Sequence, residues 1–124
     1  IMPGNVTFRT GSAEIQADFY NTLNAVAGSL KEFQGSNVKI TGYTDSTGDA
    51  MRNQILSEQR AGSVARYLQS QGVTAARLQT SGLGARNPLD SNNTEAGRQA
   101  NRRVELDVIP LDNGQQSSQQ GRQY

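Results

Sequence analysis

Along this chain the spacing of apolar positions switches between a strand period and a helix period, and the switches mark its elements. Val6-Thr7-Phe8 is a short β-prone run, and Thr10-Gly11-Ser12 after it reads as a turn. Ile15, Phe19, Leu23, Val26, Leu30 and Phe33 then recur at steps of four, four, three, four and three. That spacing lays them on one face of a helix of about 3.6 residues per turn. It predicts a helix from about Glu14 to Gln34, opened by Ser12 and stopped by Gly35, with Phe19 and Phe33 in the core. Val38-Lys39-Ile40-Thr41 alternates as a second strand. Ala61, Val64, Ala65 and Leu68 form the buried stripe of a second helix, from about Ala50 to Gln71, with Asp49 as its N-cap and Gly72 as its stop.

The remaining segments are shorter. Leu78-Gln79-Thr80-Ser81 is a weaker strand, and Gly82 to Asn93 is a loop carrying two glycines and a proline. Thr94 to Ala100 is a turn or two of helix. Val104-Glu105-Leu106-Asp107-Val108 alternates most cleanly, with Val104, Leu106 and Val108 facing in and Arg103, Glu105 and Asp107 facing out. One polar face on the best strand implies helices on one side of the sheet only. The order β-α-β-α-β-β predicts a two-layer α/β (α+β) sandwich with a mixed four-stranded sheet. Two parallel pairs joined by helices and a final antiparallel strand would make up that sheet. Residues 1 to 112 read as one domain, and 113 to 124 as a disordered tail of Gln, Ser and Gly without apolar periodicity.

Composition narrows the function more than the fold. The chain has no histidine and no cysteine. The commonest general base, the commonest metal ligand, the disulfide and the thiolate nucleophile are therefore all missing. Twelve basic and eleven acidic residues leave a net charge of +1, which gives no reason to expect a nucleic acid as partner. No apolar run approaches the ~20 residues that span a bilayer as a helix. The chain opens Ile1-Met2-Pro3 with no charged, apolar leader, so it reads as a piece of a longer precursor.

The richest chemistry lies between the second strand and the second helix, in Thr44-Asp45-Ser46-Thr47-Gly48-Asp49. Loops at the carboxyl ends of strands collect ligands in α/β folds, and free N–H groups at a helix start favour an anion nearby. On the helix, Asn53, Ser57, Arg60 and Val64 fall at steps of four, three and four, so Arg60 shares a face with the buried stripe. Asp45 accepts from an ammonium group, and the Arg60 fork takes a carboxylate. Together they suit the amino and carboxylate ends of an amino acid. The competing reading of the same spacing is that Asp45 and Arg60 pair with each other or face water. A carboxylate pair of a glycosidase, drawn from Asp45, Asp49 and Glu58, is the alternative from enzyme chemistry. It lacks the apolar pocket that raises a carboxyl pKa.

Several blocks together resemble one family. Gly42-Tyr43-Thr44-Asp45-Ser46-Thr47-Gly48, Asn53, Leu56-Ser57-Glu58-Gln59-Arg60-Ala61, Gly82-Leu83-Gly84, Asn87-Pro88 and Asn101-Arg102-Arg103-Val104-Glu105 stand in the order found in the OmpA-like C-terminal domain. Within that family the chain is most similar to small outer-membrane lipoproteins of the YiaD type. The resemblance covers roughly Val6 to Ile109. It implies non-covalent binding of peptidoglycan through the diaminopimelate of the stem peptide, without turnover, cofactor or metal. It also implies a periplasmic place beside the outer membrane of a Gram-negative envelope, with any membrane attachment supplied by a segment before Ile1. By the same resemblance Asp45 and Arg60 match the ligand-binding pair, Thr44, Thr47 and Asn53 line the groove, and Arg103 lies near it. Gly11 falls where some members carry an Asn, so that contact is missing or made by backbone. The disulfide of some members is absent. A peptidoglycan hydrolase and a regulated stator-type subunit remain the competing functions.

Overall fold

The computed structural model describes residues 5–110. The tail expected at 113 to 124 lies outside them. Strand β1 is Val6–Thr7, helix α1 is Tyr20–Glu32 and strand β2 is Ser36–Gly42. Helix α2 is Ala50–Ser70, strand β3 is Leu78–Gly82, helix α3 is Glu95–Asn101 and strand β4 is Arg103–Pro110. Single turns of 3-10 helix at Ala17–Phe19 and Ala75–Arg77 lead into α1 and β3. The fold is the expected two-layer one, a mixed sheet with helices packed on it.

Strand order is β1-β4-β2-β3. β2 and β3 are parallel, joined over the sheet by α2, with Val38 opposite Leu78 and Gly42 opposite Gly82. β1 and β2 run in the same direction, as expected of strands joined by a crossover helix, but they are not neighbours. β4 lies between them, antiparallel to both. Local spacing carries no record of this order, because a strand inserted last reads the same as a strand added at an edge.

Inside the sandwich, Val6, Val38, Ile40, Val104 and Leu106 from the sheet meet Leu23, Val26 and Leu30 of α1 and Ala61, Val64 and Leu68 of α2. Val108 shares their parity but is half exposed. It sits opposite Val38 of β2, outside the stretch of β4 that β1 covers, which is Val104 opposite Val6 and Arg103 opposite Thr7.

α2 is well specified locally. The side chain of Asp49 accepts from the N–H of Arg52 at 3.1 Å. At the other end Gly72, with φ +101°, lets the N–H groups of Gly72 and Val73 turn back to the carbonyls of Gln69 and Leu68. Buried Val73 and Leu68 flank that turn, the apolar contact that accompanies this kind of helix stop.

α1 starts later than its spacing suggests. Ser12 Oγ does accept from an N–H, but from Glu14, two residues on. The carbonyl of Ser12 receives Nε of Arg60 instead of a helical N–H, and Gln16 Nε2 donates to the carbonyl of Thr7. These contacts coincide with an open chain from Ser12 to Gln16, with helix beginning only at Ala17. Phe33, expected in the core, is 63% exposed. It caps α1 with φ −111° and ψ 87°, so it has left the helical spiral and its apolar face. Phe19 is partly buried against the core.

Candidate functional site

A cavity of about 410 Å³ opens where the loop after β1, the turn after β2, the first half of α2 and the residue after α3 converge. β2 delivers the turn. The N–H of Thr44 donates to the carbonyl of Gly84 at 2.8 Å, which carries the extended chain past Gly42 to the threshold of Asp45. There the Asp45 carboxylate folds back, Oδ1 accepting from the N–H of Thr47 at 2.9 Å. Gly48, at φ +90°, completes the bend into the Asp49 cap.

Asp45 is 5% exposed. Its Oδ2 accepts from Nη1 of Arg102 at 2.9 Å. Burial works against its charge. The Thr47 N–H and the Arg102 guanidinium outweigh burial and hold the carboxyl below the usual aspartate range. Among the described residues Oδ1 accepts from the Thr47 N–H and Oδ2 from Arg102, and a carboxylate with about four lone-pair sites has room for a further donor.

Arg60 is fully buried. Nε donates to the carbonyl of Ser12 at 2.8 Å, Nη1 to Tyr43 at 2.9 Å and Nη2 to Arg9 at 3.1 Å. Its guanidinium also lies 5.2 Å from the centre of the Phe8 ring. All these acceptors are neutral, and no ion pair to Arg60 occurs among the described residues. Burial, with the nearby charge of Arg102, pulls its pKa down to about 10. It is still a cation at neutral pH, held in place by carbonyls and lining a cavity without a carboxylate of its own. Two of the five guanidinium N–H groups are left unassigned by these three bonds. Asp45 and Arg60 therefore do not neutralise each other. Each is held by a separate set of partners at the edge of the same cavity.

The other residues singled out from the sequence divide. Thr44, Thr47 and Asn53 line the cavity with Asp45 and Arg60. Asn53 Nδ2 lies 3.5 Å from the carbonyl of Asp45. Gly11 lines it too, at φ +69°, with nothing within 4 Å of where a Cβ would sit. Arg103 does not line it. Nor does it face water as the alternation implied: it is 1% exposed on the opposite side of the sheet. Its guanidinium stacks 3.7 Å from the centre of the Tyr43 ring, with Nε on Glu105 at 2.7 Å and Nη2 on the carbonyl of Asn87.

The arginine that does reach the cavity is its neighbour, Arg102. Nε donates to the carbonyl of Phe8 at 3.0 Å, Nη1 to Asp45, and Nη2 to Oε2 of Glu95 at 2.8 Å. Although burial opposes its charge, Glu95 and Asp45 together raise its pKa. A signal for it was present. Arg102 has the parity of Val104 and Leu106, the inward residues of β4, whereas Arg103 has the parity of the outward ones.

A model of the OmpA family matches residues 7–102. The chain is 51% identical over 110 residues to the probable lipoprotein YiaD of Escherichia coli K12, covering 89% of this chain and 50% of YiaD. To the peptidoglycan-binding protein ArfA of Mycobacterium tuberculosis H37Rv it is 45% identical over 105 residues, covering 85% of this chain and 32% of ArfA. The chain thus spans about half the length of YiaD and about a third of ArfA. The crystal structure of the peptidoglycan-associated lipoprotein from Burkholderia pseudomallei shares the fold with a TM-score of 0.82 at 31% identity, over 84% of this chain and 88% of that one.

Proposed function

The chain belongs to the OmpA family, and on that premise we propose that it binds peptidoglycan non-covalently through the diaminopimelate of the stem peptide. By holding the wall it would anchor the outer membrane, or an assembly attached to it, from the periplasmic side. The observation that carries this reading is the separate holding of Asp45 and Arg60. A buried cation with only neutral partners and a buried carboxylate with room for another donor border one cavity. A ligand presenting an ammonium and a carboxylate on one carbon matches both poles at once. The free amino-acid end of diaminopimelate is such a group. ArfA, a peptidoglycan-binding protein by name, supports the same polymer.

The geometry supports one mode of binding. The ammonium docks on the Asp45 carboxylate, which its depressed pKa keeps ionised at neutral pH. The carboxylate meets the remaining N–H groups of Arg60, an acceptor that offsets the cost of burying that charge. Thr47 and Asn53 offer a hydroxyl and an amide beside the ammonium pole. Charge-assisted hydrogen bonds contribute roughly 1.5–3 kcal/mol each, so a few of them give a Kd from about millimolar to micromolar. Weak single sites suffice on a polymer that repeats the ligand.

Pull-down with purified sacculi tests the reading. The unaltered chain should be retained, and Asp45→Asn and Arg60→Lys should each lose most of that retention. These variants are chosen because Arg60→Ala would also strand three carbonyls. Undiminished retention of both variants would sink the clamp. Release of soluble muropeptides during incubation would point to a hydrolase instead.

A further inference from the structure

We propose that Glu95, outside the cavity, is a positioning residue that sets its preference for a zwitterion by holding Arg102 away from full possession of Asp45. The inference rests on the clamp of Asp45 and Arg60 proposed above. Its starting point is a charge count. Three guanidinium groups, Arg52, Arg60 and Arg102, and two carboxylates, Asp45 and Asp49, line the cavity. Arg52 and Asp49 are exposed to water, so the buried charges are the two cations Arg60 and Arg102 and the one anion Asp45. If Asp45 and Arg102 neutralised each other in isolation, the cavity would be left with Arg60 and would select a simple carboxylate. A second anion on Arg102 frees Asp45 to act as a pole of its own. Glu95 Oε2 supplies it, 2.8 Å from Nη2 of Arg102.

The contact also fixes direction. Arg102 spends Nε on the carbonyl of Phe8, Nη1 on Asp45 and Nη2 on Glu95, so each nitrogen has one assigned acceptor. Without the last, only the Nε bond to Phe8 resists a turn of the planar fork that brings both terminal nitrogens onto Asp45 as a bidentate pair. That would cover the carboxylate edge an ammonium needs.

α3 is placed firmly enough to do this. Thr94 Oγ1 caps it by accepting from the N–H of Gly97 at 3.0 Å. A Cβ on Gly97 would lie 1.8 Å from the carbonyl oxygen of Ser91, so the helix rests directly on the preceding loop. Asn101 at its other end binds the backbone of Leu89 and Asp90. Arg98 touches the other oxygen of Glu95 at 3.2 Å, but it is 32% exposed and does not line the cavity, so water screens its charge from the ligand. The side chain of Glu95 is itself 65% exposed, so its replacement leaves the core untouched.

The test is an NMR titration of the whole chain with meso-diaminopimelate and, separately, with pimelate, which has the same carbon skeleton and carboxylates but no ammonium. Glu95→Gln should weaken diaminopimelate binding by about three- to fivefold, the range of one partly exposed ion pair. Pimelate binding should hold or tighten, and Glu95→Asp should recover part of the loss. Equal weakening toward both ligands, or no change in Glu95→Gln, overturns the inference while the clamp stands. Failure of the unaltered chain to bind diaminopimelate overturns the clamp itself and this inference with it.

Discussion

Asp45 and Arg60 meet burial in opposite ways, and that difference makes a pH prediction. Asp45 is compensated: the Thr47 N–H and Arg102 keep its folded pKa under the ordinary 3.8. Its contribution to stability and to ammonium binding is therefore present above that value and lost as pH falls beneath it toward the folded pKa. Arg60 is undercompensated and loses its charge as pH rises through about 10. Retention on sacculi should be level from neutral pH down to about 4 and then fall. A decline beginning near pH 6 would mean that another group controls binding. At this scale the pair was legible, because an Asp in a strand-to-helix turn and an Arg on a buried helical stripe are local facts. The division of labour between Arg102 and Arg103 was legible in principle from parity. Arg103 was expected near the groove from the family resemblance alone, whereas its outward parity points it at Tyr43 on the far face.

At the scale of elements, the site depends on how closely α2 sits on β2 and β3. A Cβ on Gly42 would lie 1.9 Å from the carbonyl oxygen of Ser57, and one on Gly82 would lie 2.4 Å from its Oγ. The two glycines are register partners on adjacent strands. Together they form a seat for the helix one turn before Arg60. Gly42→Ala has no flexible side chain to push aside, only helix backbone, so α2 must lift. The expected cost is about 1–3 kcal/mol in urea unfolding, as for other overpacked sites. Affinity for diaminopimelate should drop as well, because Arg60 moves with the helix. Unchanged stability would show that the seat is looser than the geometry requires. The caps of α2 were readable from Asp49 and Gly72. The start of α1 was not. Ser12 has the residue type of a cap, but its carbonyl is engaged by Arg60, forty-eight positions along the chain.

At the scale of the molecule, the cavity exists only because four separate segments converge, and a ligand that touches several of them ties them together. Saturating diaminopimelate should therefore raise Tm. At a tenfold excess over Kd the linkage is about 1.4 kcal/mol, or roughly 4–7 °C for a domain near this size. Pimelate at equal concentration should raise it less, since it brings no ammonium to Asp45, and an equal shift would argue against the ammonium pole. The sequence by itself determined the element types, the two-layer class, the caps of α2, and the places of Asp45 in a strand-to-helix turn and Arg60 on a buried helical stripe. Each depends on period, on residue type, or on neighbours within one or two turns. Only the tertiary structure decided that β4 runs between β1 and β2, that Arg60 holds the loop after β1 by its carbonyls, and that Arg102 links Asp45 to Glu95. These are contacts between distant positions, fixed by which buried charges find partners once the layers close, and no local pattern along the chain encodes that choice.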